Sequence, residues 1–168
     1  MRRLLLRSHK SPFRVASAEA TLRHDLIGGN TGNLVFSQSV HRLLSTADAE
    51  ITTGLFRHTA PQINAEFDHL VIPLANAFRP RYVDRLDRLS ELIEKLTIPV
   101  TVVGVGAQAS IDGVRRDAER LDRATARFVR AVLKRSPTLG VRGEFTRSYL
   151  ESLGFADSEI DVIGCPSM

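Results

Sequence analysis

Thr97-Ile-Pro-Val-Thr-Val-Val-Gly-Val-Gly106 is the stretch on which the fold depends. It is a continuous apolar run without polar alternation, closed by glycine. That is how a strand reads when a parallel sheet buries it on both faces. The segments on either side are helical. Upstream, Arg79 to Leu96 places Tyr82, Leu86, Leu89, Ile93 and Leu96 at alternating steps of four and three. Downstream, Asp112 opens a helix to about Lys134, with Val114, Ala118, Leu121, Thr125, Phe128 and Val132 in the same rhythm. Asp112 suits its N-cap, and Lys134 and Arg135 suit its negative end.

Working outward, the alternation continues. Phe67 to Pro73 reads as a strand, and so do Ile51 to Phe56, Pro137 to Val141 and Ile160 to Gly164. Helices are expected over Leu34 to Leu44 and Phe145 to Leu153, with Gly154 in the C′ position that ends the second. Ala60-Pro61 reads as a turn. Residues 1–24 are polar and lack a clear period, and Leu4 to Leu6 is either a short strand or a loose arm. Alternating strands and helices predict an α/β fold, a Rossmann-like parallel sheet flanked by helices over residues 25–168. The final strand is followed by Gly-Cys-Pro-Ser-Met with no closing helix, so the chain reads as an N-terminal fragment whose second, C-terminal domain either once followed or follows in the full gene product.

Composition limits the function. The 168 residues are 43% hydrophobic and 25% charged, which excludes a disordered tail or a coiled-coil rod. Cys165 is the single cysteine, so there is no internal disulfide framework and no multi-cysteine zinc site. No apolar run approaches the ~18 residues of a membrane span, and the three leucines near the start are too few for a signal peptide. A cytoplasmic protein is expected, with the thiol reduced. The net charge of +4 is uneven. Residues 1–60 hold 8 basic and 4 acidic residues, 112–135 the same, and the remainder 7 and 11. Twenty of the 23 basic residues are arginine, whose planar fork suits carboxylates and phosphates. These zones fit an anionic small molecule or a lipid surface. The basic face of 115–135 lacks the interleaved aromatic residues that would stack on bases, so nucleic acid is not the expected partner.

Several polar groups follow apolar runs, and so fall at the carboxyl ends of strands, where open α/β sheets bind ligands. Gly28-Gly29-Asn30-Thr31-Gly32-Asn33 precedes a helix. It is either an anion-binding loop, with Asn30 and Asn33 adding hydrogen bonds, or a tight turn with an Asn cap. It departs from the dinucleotide fingerprint because Asn30 takes the place of the second glycine. Asn76 follows the strand ending at Pro73, and Gln108 follows Gly104-Val-Gly-Ala. Arg142, before the helix that starts near Glu144, is a cation where the helix dipole disfavours one. It meets either an anionic ligand or Glu144. The five histidines show no metal-ligand spacing, and no nucleophile elbow, zinc-protease or P-loop motif occurs.

Gly-Asn-Thr-Gly-Asn before a helix, Val-Thr-Val-Val-Gly-Val-Gly-Ala-Gln, Gly-Val-Arg-Gly-Glu-Phe-Thr and Val-Ile-Gly-Cys-Pro-Ser, in this order, resemble the N-terminal half of the polysaccharide pyruvyl transferase family. The resemblance runs from about Asp25 to the end. It implies half of a GT-B-type two-domain fold. The implied reaction transfers a pyruvyl group from phosphoenolpyruvate to a sugar of a cell-surface polysaccharide or exopolysaccharide, forming a ketal, with no cofactor. It also implies that Gly29, Asn30, Asn33, Gln108 and Arg142 line the cleft, with Asn76 and Glu144 at the same edge. The family's histidine and arginine residues for phosphoenolpyruvate lie largely in the second half, so no catalytic acid or base is assigned here. The implied acceptor is a sugar or lipid-linked glycan, which would bring the protein to the inner face of the membrane. A glycosyltransferase using a nucleotide sugar and a non-catalytic Rossmann-like binding domain are the alternatives.

Overall fold

The computed structural model describes residues 1–7, 17–24, 32–54, 58–108 and 118–168. Six strands are described: β1 (Arg2–Leu6), β2 (Ala49–Thr53), β3 (His69–Pro73), β4 (Val100–Val103), β5 (Leu139–Val141) and β6 (Ile160–Val162). The helices are α1 (Ala18–Arg23), α2 (Gly32–Leu44), α3 (Ala60–Glu66), α4 (Val83–Glu94), α5 (Ala118–Leu133) and α6 (Glu144–Ser152).

The strands are parallel, in the order β2-β1-β3-β4, with β5-β6 as a second pair. The two sheets join where β4 runs on. Val105 donates its N–H to the Gly140 carbonyl (3.1 Å) and accepts from Arg142 N–H (2.8 Å). The β4 run is therefore interior, as its sequence predicts. Leu4 to Leu6 belongs to an interior strand too, with Leu5 and Leu6 fully buried, and is not an arm. Three leucines suffice because β1 pairs on both sides and each successive side chain enters the opposite face. From β1 the chain moves outward to β2 and then returns to β3 on β1's other side. That reversal opens a crevice at the carboxyl ends of β1 and β3.

Alternation along the strands divides the core. Leu5, Leu70, Ile72, Val100 and Val102 enter a large cluster with α3, α4, α5 and α6, centred on Phe78, Leu86, Ile93, Phe128, Val132 and Leu150. Leu6 and Val71 face the other way, under Phe36 and Val40 of α2. The expectation that β4 is buried on both faces needs correction. Val100 and Val102 are buried, whereas Thr101 and Val103 are half-buried, because α2 is the only described helix contributing buried residues to that side and packs over β2 and β3.

The helix boundaries follow local chemistry. The expected turn at Ala60-Pro61 is the first turn of α3. Proline fits there because its missing N–H is not needed, and Thr59 N–H donates to Gln62 Oε1 at 2.8 Å. Gly154, at φ +91°, ends α6 in the predicted position. Its N–H donates to the Glu151 carbonyl (2.9 Å), and Phe155 N–H donates to that of Leu150 (3.2 Å). This pair of bonds is a Schellman motif. The arginine face of α5 is absorbed by α4. Arg127 grips Glu94 through Nε (2.9 Å) and Nη2 (2.8 Å), and Arg120 meets Asp84 at 2.6 Å. The Asp25–Ile27 run, Phe56, Asp112 and Val114 lie outside the described residues.

Candidate functional site

The carboxyl edge of the parallel strands gathers residues that follow β1, β3, β4, β5 and β6. Beyond β3 and β4 the two segments stay paired. Leu74 N–H reaches the Val103 carbonyl (3.1 Å), Gly106 N–H that of Ala75 (2.7 Å), and Phe78 N–H that of Gly106 (3.1 Å). This ladder holds Asn76 beside the β4 extension. Arg142, directly after β5, is held beside the same extension by its N–H bond to Val105. Its Nη1 donates to Asn76 Oδ1 at 3.0 Å. Its guanidinium lies 5.7 Å from the centre of the Phe36 ring, in the second turn of α2. Arg142 Nε is buried and has no hydrogen-bond partner among the described residues. A buried donor left this way costs about 1–3 kcal/mol, which an incoming acceptor recovers.

Two glycines shape the surroundings. A Cβ on Gly106 would stand 2.9 Å from Asn76 Oδ1. Gly104 has φ +66°, and a Cβ there would meet Pro166 at 3.1 Å and Phe36 at 3.2 Å. The Gly164–Pro166 segment thus closes against Phe36 and brings Cys165 into the field of Arg142. Cys165 Sγ lies 2.9 Å from Ser167 Oγ. Burial pushes this thiol up. Its bonds to the Ser167 hydroxyl and backbone, together with the Arg142 charge, outweigh that and leave it below its ordinary value.

Arg7 is the site residue that sequence reading passed over. It directly follows β1, at the reversal point, and is only 6% exposed. It donates to the Pro73 carbonyl (3.4 Å) and the Tyr82 hydroxyl (2.9 Å). Arg79 and Arg85 lie over the Tyr82 ring at 5.8 and 5.4 Å. The available signal was a charge placed at the carboxyl end of an apolar run. Arg2 and Arg3 on the other side of the same leucines blur that signal.

The sequence-selected residues separate into groups. Asn76 and Arg142 are in direct contact. Asn33 lies in the first turn of α2, one turn before Phe36, and is exposed. Gln108 is held at the edge by its N–H bond to the Phe78 carbonyl (3.1 Å), with its side chain exposed. Glu144 is not Arg142's partner. It points along α6 to Arg147, at 3.7 Å, because i to i+3 places those side chains on one helix face. Gly29 and Asn30 lie outside the described residues. Among the described residues there is no cluster of metal-ligating side chains, and no helix is long and apolar enough to cross a membrane.

The arrangement suits an oxyanion. It offers a tethered guanidinium with a spare edge, glycine backbone and a neighbouring thiol. The polysaccharide pyruvyl transferase family model matches residues 22–168. No curated protein and no solved structure matches the chain.

Proposed function

The chain belongs to the polysaccharide pyruvyl transferase family, and from that premise we propose that it serves the transfer of a pyruvyl group from phosphoenolpyruvate to a sugar hydroxyl of a cell-surface or exported glycan. In this reading Arg142 holds an oxyanion of donor or acceptor at the carboxyl edge of the sheet. One observation carries it: among the described residues, the one hydrogen bond that anchors the Arg142 guanidinium is from Nη1, and its buried Nε has no partner.

Phosphoenolpyruvate presents a carboxylate and a phosphate, and a guanidinium matches the geometry of both. Forming the ketal joins two sugar hydroxyl oxygens to C2 of phosphoenolpyruvate, puts one proton on its methylene carbon and breaks the C2–O bond to phosphate, which leaves with the other hydroxyl proton. The residues described here hold and orient; none is assigned as the acid or base. Asn33 and Gln108, exposed at the same edge, are placed to bond sugar hydroxyls. A lipid-linked acceptor would bring this edge to the inner face of the membrane.

The test is calorimetric titration of the full chain with phosphoenolpyruvate, followed by incubation with phosphoenolpyruvate and an oligosaccharide acceptor. Mass spectrometry then reads pyruvyl ketal in the product. Arg142→Ala is expected to weaken binding by roughly ten- to a hundredfold, the loss of one charge-assisted bond. Binding of a nucleoside diphosphate in preference to phosphoenolpyruvate would overturn the reading in favour of a nucleotide-sugar transferase.

A further inference from the structure

We infer that Asn76 and Gly106 form a mount for Arg142: a neutral amide, admitted by a glycine, fixes the guanidinium without cancelling its charge. The inference rests on the reading of Arg142 as an oxyanion contact and assigns Asn76 as a positioning residue.

Several arginines on the helices show what the mount avoids. Arg120 meets Asp84, Arg123 meets Glu119, Arg127 meets Glu94, and Arg147 meets Glu144, Glu151 and Asp157. Each of those guanidiniums is neutralised by a carboxylate. Arg142 instead donates to an amide oxygen, and no carboxylate lies within ion-pair distance of it among the described residues. An aspartate at position 76 would accept the same hydrogen bond and also remove the charge available to a ligand. Asparagine does only the first.

The geometry of the vacant edge follows from which nitrogen is used. Arg127 grips both oxygens of Glu94 through Nε and Nη2, the bidentate face of a guanidinium. In Arg142 the Asn76 bond takes Nη1 and Nε is buried, so Nη2 is the nitrogen left to meet an oxygen of a carboxylate or phosphate. The Phe36 ring beneath the guanidinium limits its swing. Gly106 is part of the device, because any Cβ there would stand 2.9 Å from the amide oxygen and drive Asn76 off its partner.

The test is a double-mutant cycle in the full chain, with Asn76→Ala, Arg142→Gln and both together. Two readouts are taken. Phosphoenolpyruvate affinity is measured by calorimetry. The pH dependence of Cys165 alkylation by iodoacetamide senses Arg142 without any substrate. Asn76→Ala is expected to weaken phosphoenolpyruvate binding about two- to tenfold, the worth of one ordinary hydrogen bond, and to shift the thiol titration. In the Arg142→Gln background it should change neither. Asn76→Asp, which keeps the acceptor, should weaken binding at least as much as Asn76→Ala. Additive effects on the thiol titration overturn the mount whatever the binding shows. Unchanged or tighter phosphoenolpyruvate binding by Asn76→Asp overturns its charge-sparing role. A non-additive thiol cycle in a parent protein that binds no phosphoenolpyruvate upholds the mount and overturns the oxyanion reading of the site instead.

Discussion

Four helices, α3 to α6, bury one face of the sheet in a continuous core, while the opposite face keeps its buried contacts to Leu6, Val71, Phe36 and Val40. The polar groups are distributed accordingly. His69 and Thr101, hydrogen-bonded at 2.8 Å, lie half-buried on the thinly covered face, and Arg142 and Cys165 lie beside Phe36 at its carboxyl edge. A thick face supplies stability by burying apolar area in bulk. A thin face leaves strand ends within reach of a ligand.

The two faces should differ most in their cores. Phe128→Ala, at a fully buried position of the thick face, is expected to cost about 3–5 kcal/mol of unfolding free energy. Phe36→Ala should cost less, because Phe36 belongs to the smaller buried cluster, with Leu6, Val40 and Val71. Equal losses in urea titrations would show that the faces share the load. The junction of the two sheets comes next. A Cβ at Gly140 would stand 2.8 Å from the Val102 carbonyl oxygen, which is backbone and cannot yield cheaply. Gly140→Ala is therefore expected to lose about 1–3 kcal/mol, visible as a lowered Tm.

Gly106→Ala sharpens the contrast. The atom it crowds is the tip of the Asn76 side chain, not backbone. Its stability loss should stay below the about 1–3 kcal/mol usual for overpacking, while phosphoenolpyruvate affinity falls in step with that of Asn76→Ala. A Tm drop as large as that of Gly140→Ala would contradict this. The smallest expected effect is acid sensitivity of the thin face. Burial, and secondarily the Arg2 charge, hold His69 below its ordinary range. The unfolded chain then takes up the proton first, so stability present above about pH 6.5, the unperturbed histidine value, declines as pH falls below it. His69→Gln should flatten the Tm against pH between about 8 and 5.5; a profile identical to the parent's would remove His69 from the account.

Much of the thick face was legible in the sequence. Tyr82, Leu86, Leu89, Ile93 and Leu96 lie where their steps of four and three placed them, and so do Leu121, Thr125, Phe128 and Val132. Periodicity works there because many helical turns pack against one surface, so each turn repeats the same instruction. Gly154 was legible because only a left-handed residue ends a helix that way. Three positions were not. Leu4 to Leu6 gave too short a run to tell a strand from an arm, and only pairing with β2 and β3 makes it central. Ala60-Pro61 looked like a turn because proline reads alike at a turn and at a helix start. Glu144 was a plausible partner for Arg142 by proximity in sequence, yet helix geometry turns it toward Arg147.

The sequence alone determined the alternation of strands and helices, the apolar faces of α4 and α5, the Gly154 stop and the family, because each is written in local spacing or in ordered motifs. The tertiary structure decided what local spacing cannot carry. It placed the reversal of strand order at β1, buried Arg7 at that point, left one sheet face thinly covered, and brought Asn76 to Arg142 across 66 residues of chain. Those outcomes depend on which strand pairs with which, a long-range choice set by the total burial of the whole chain rather than by any window within it.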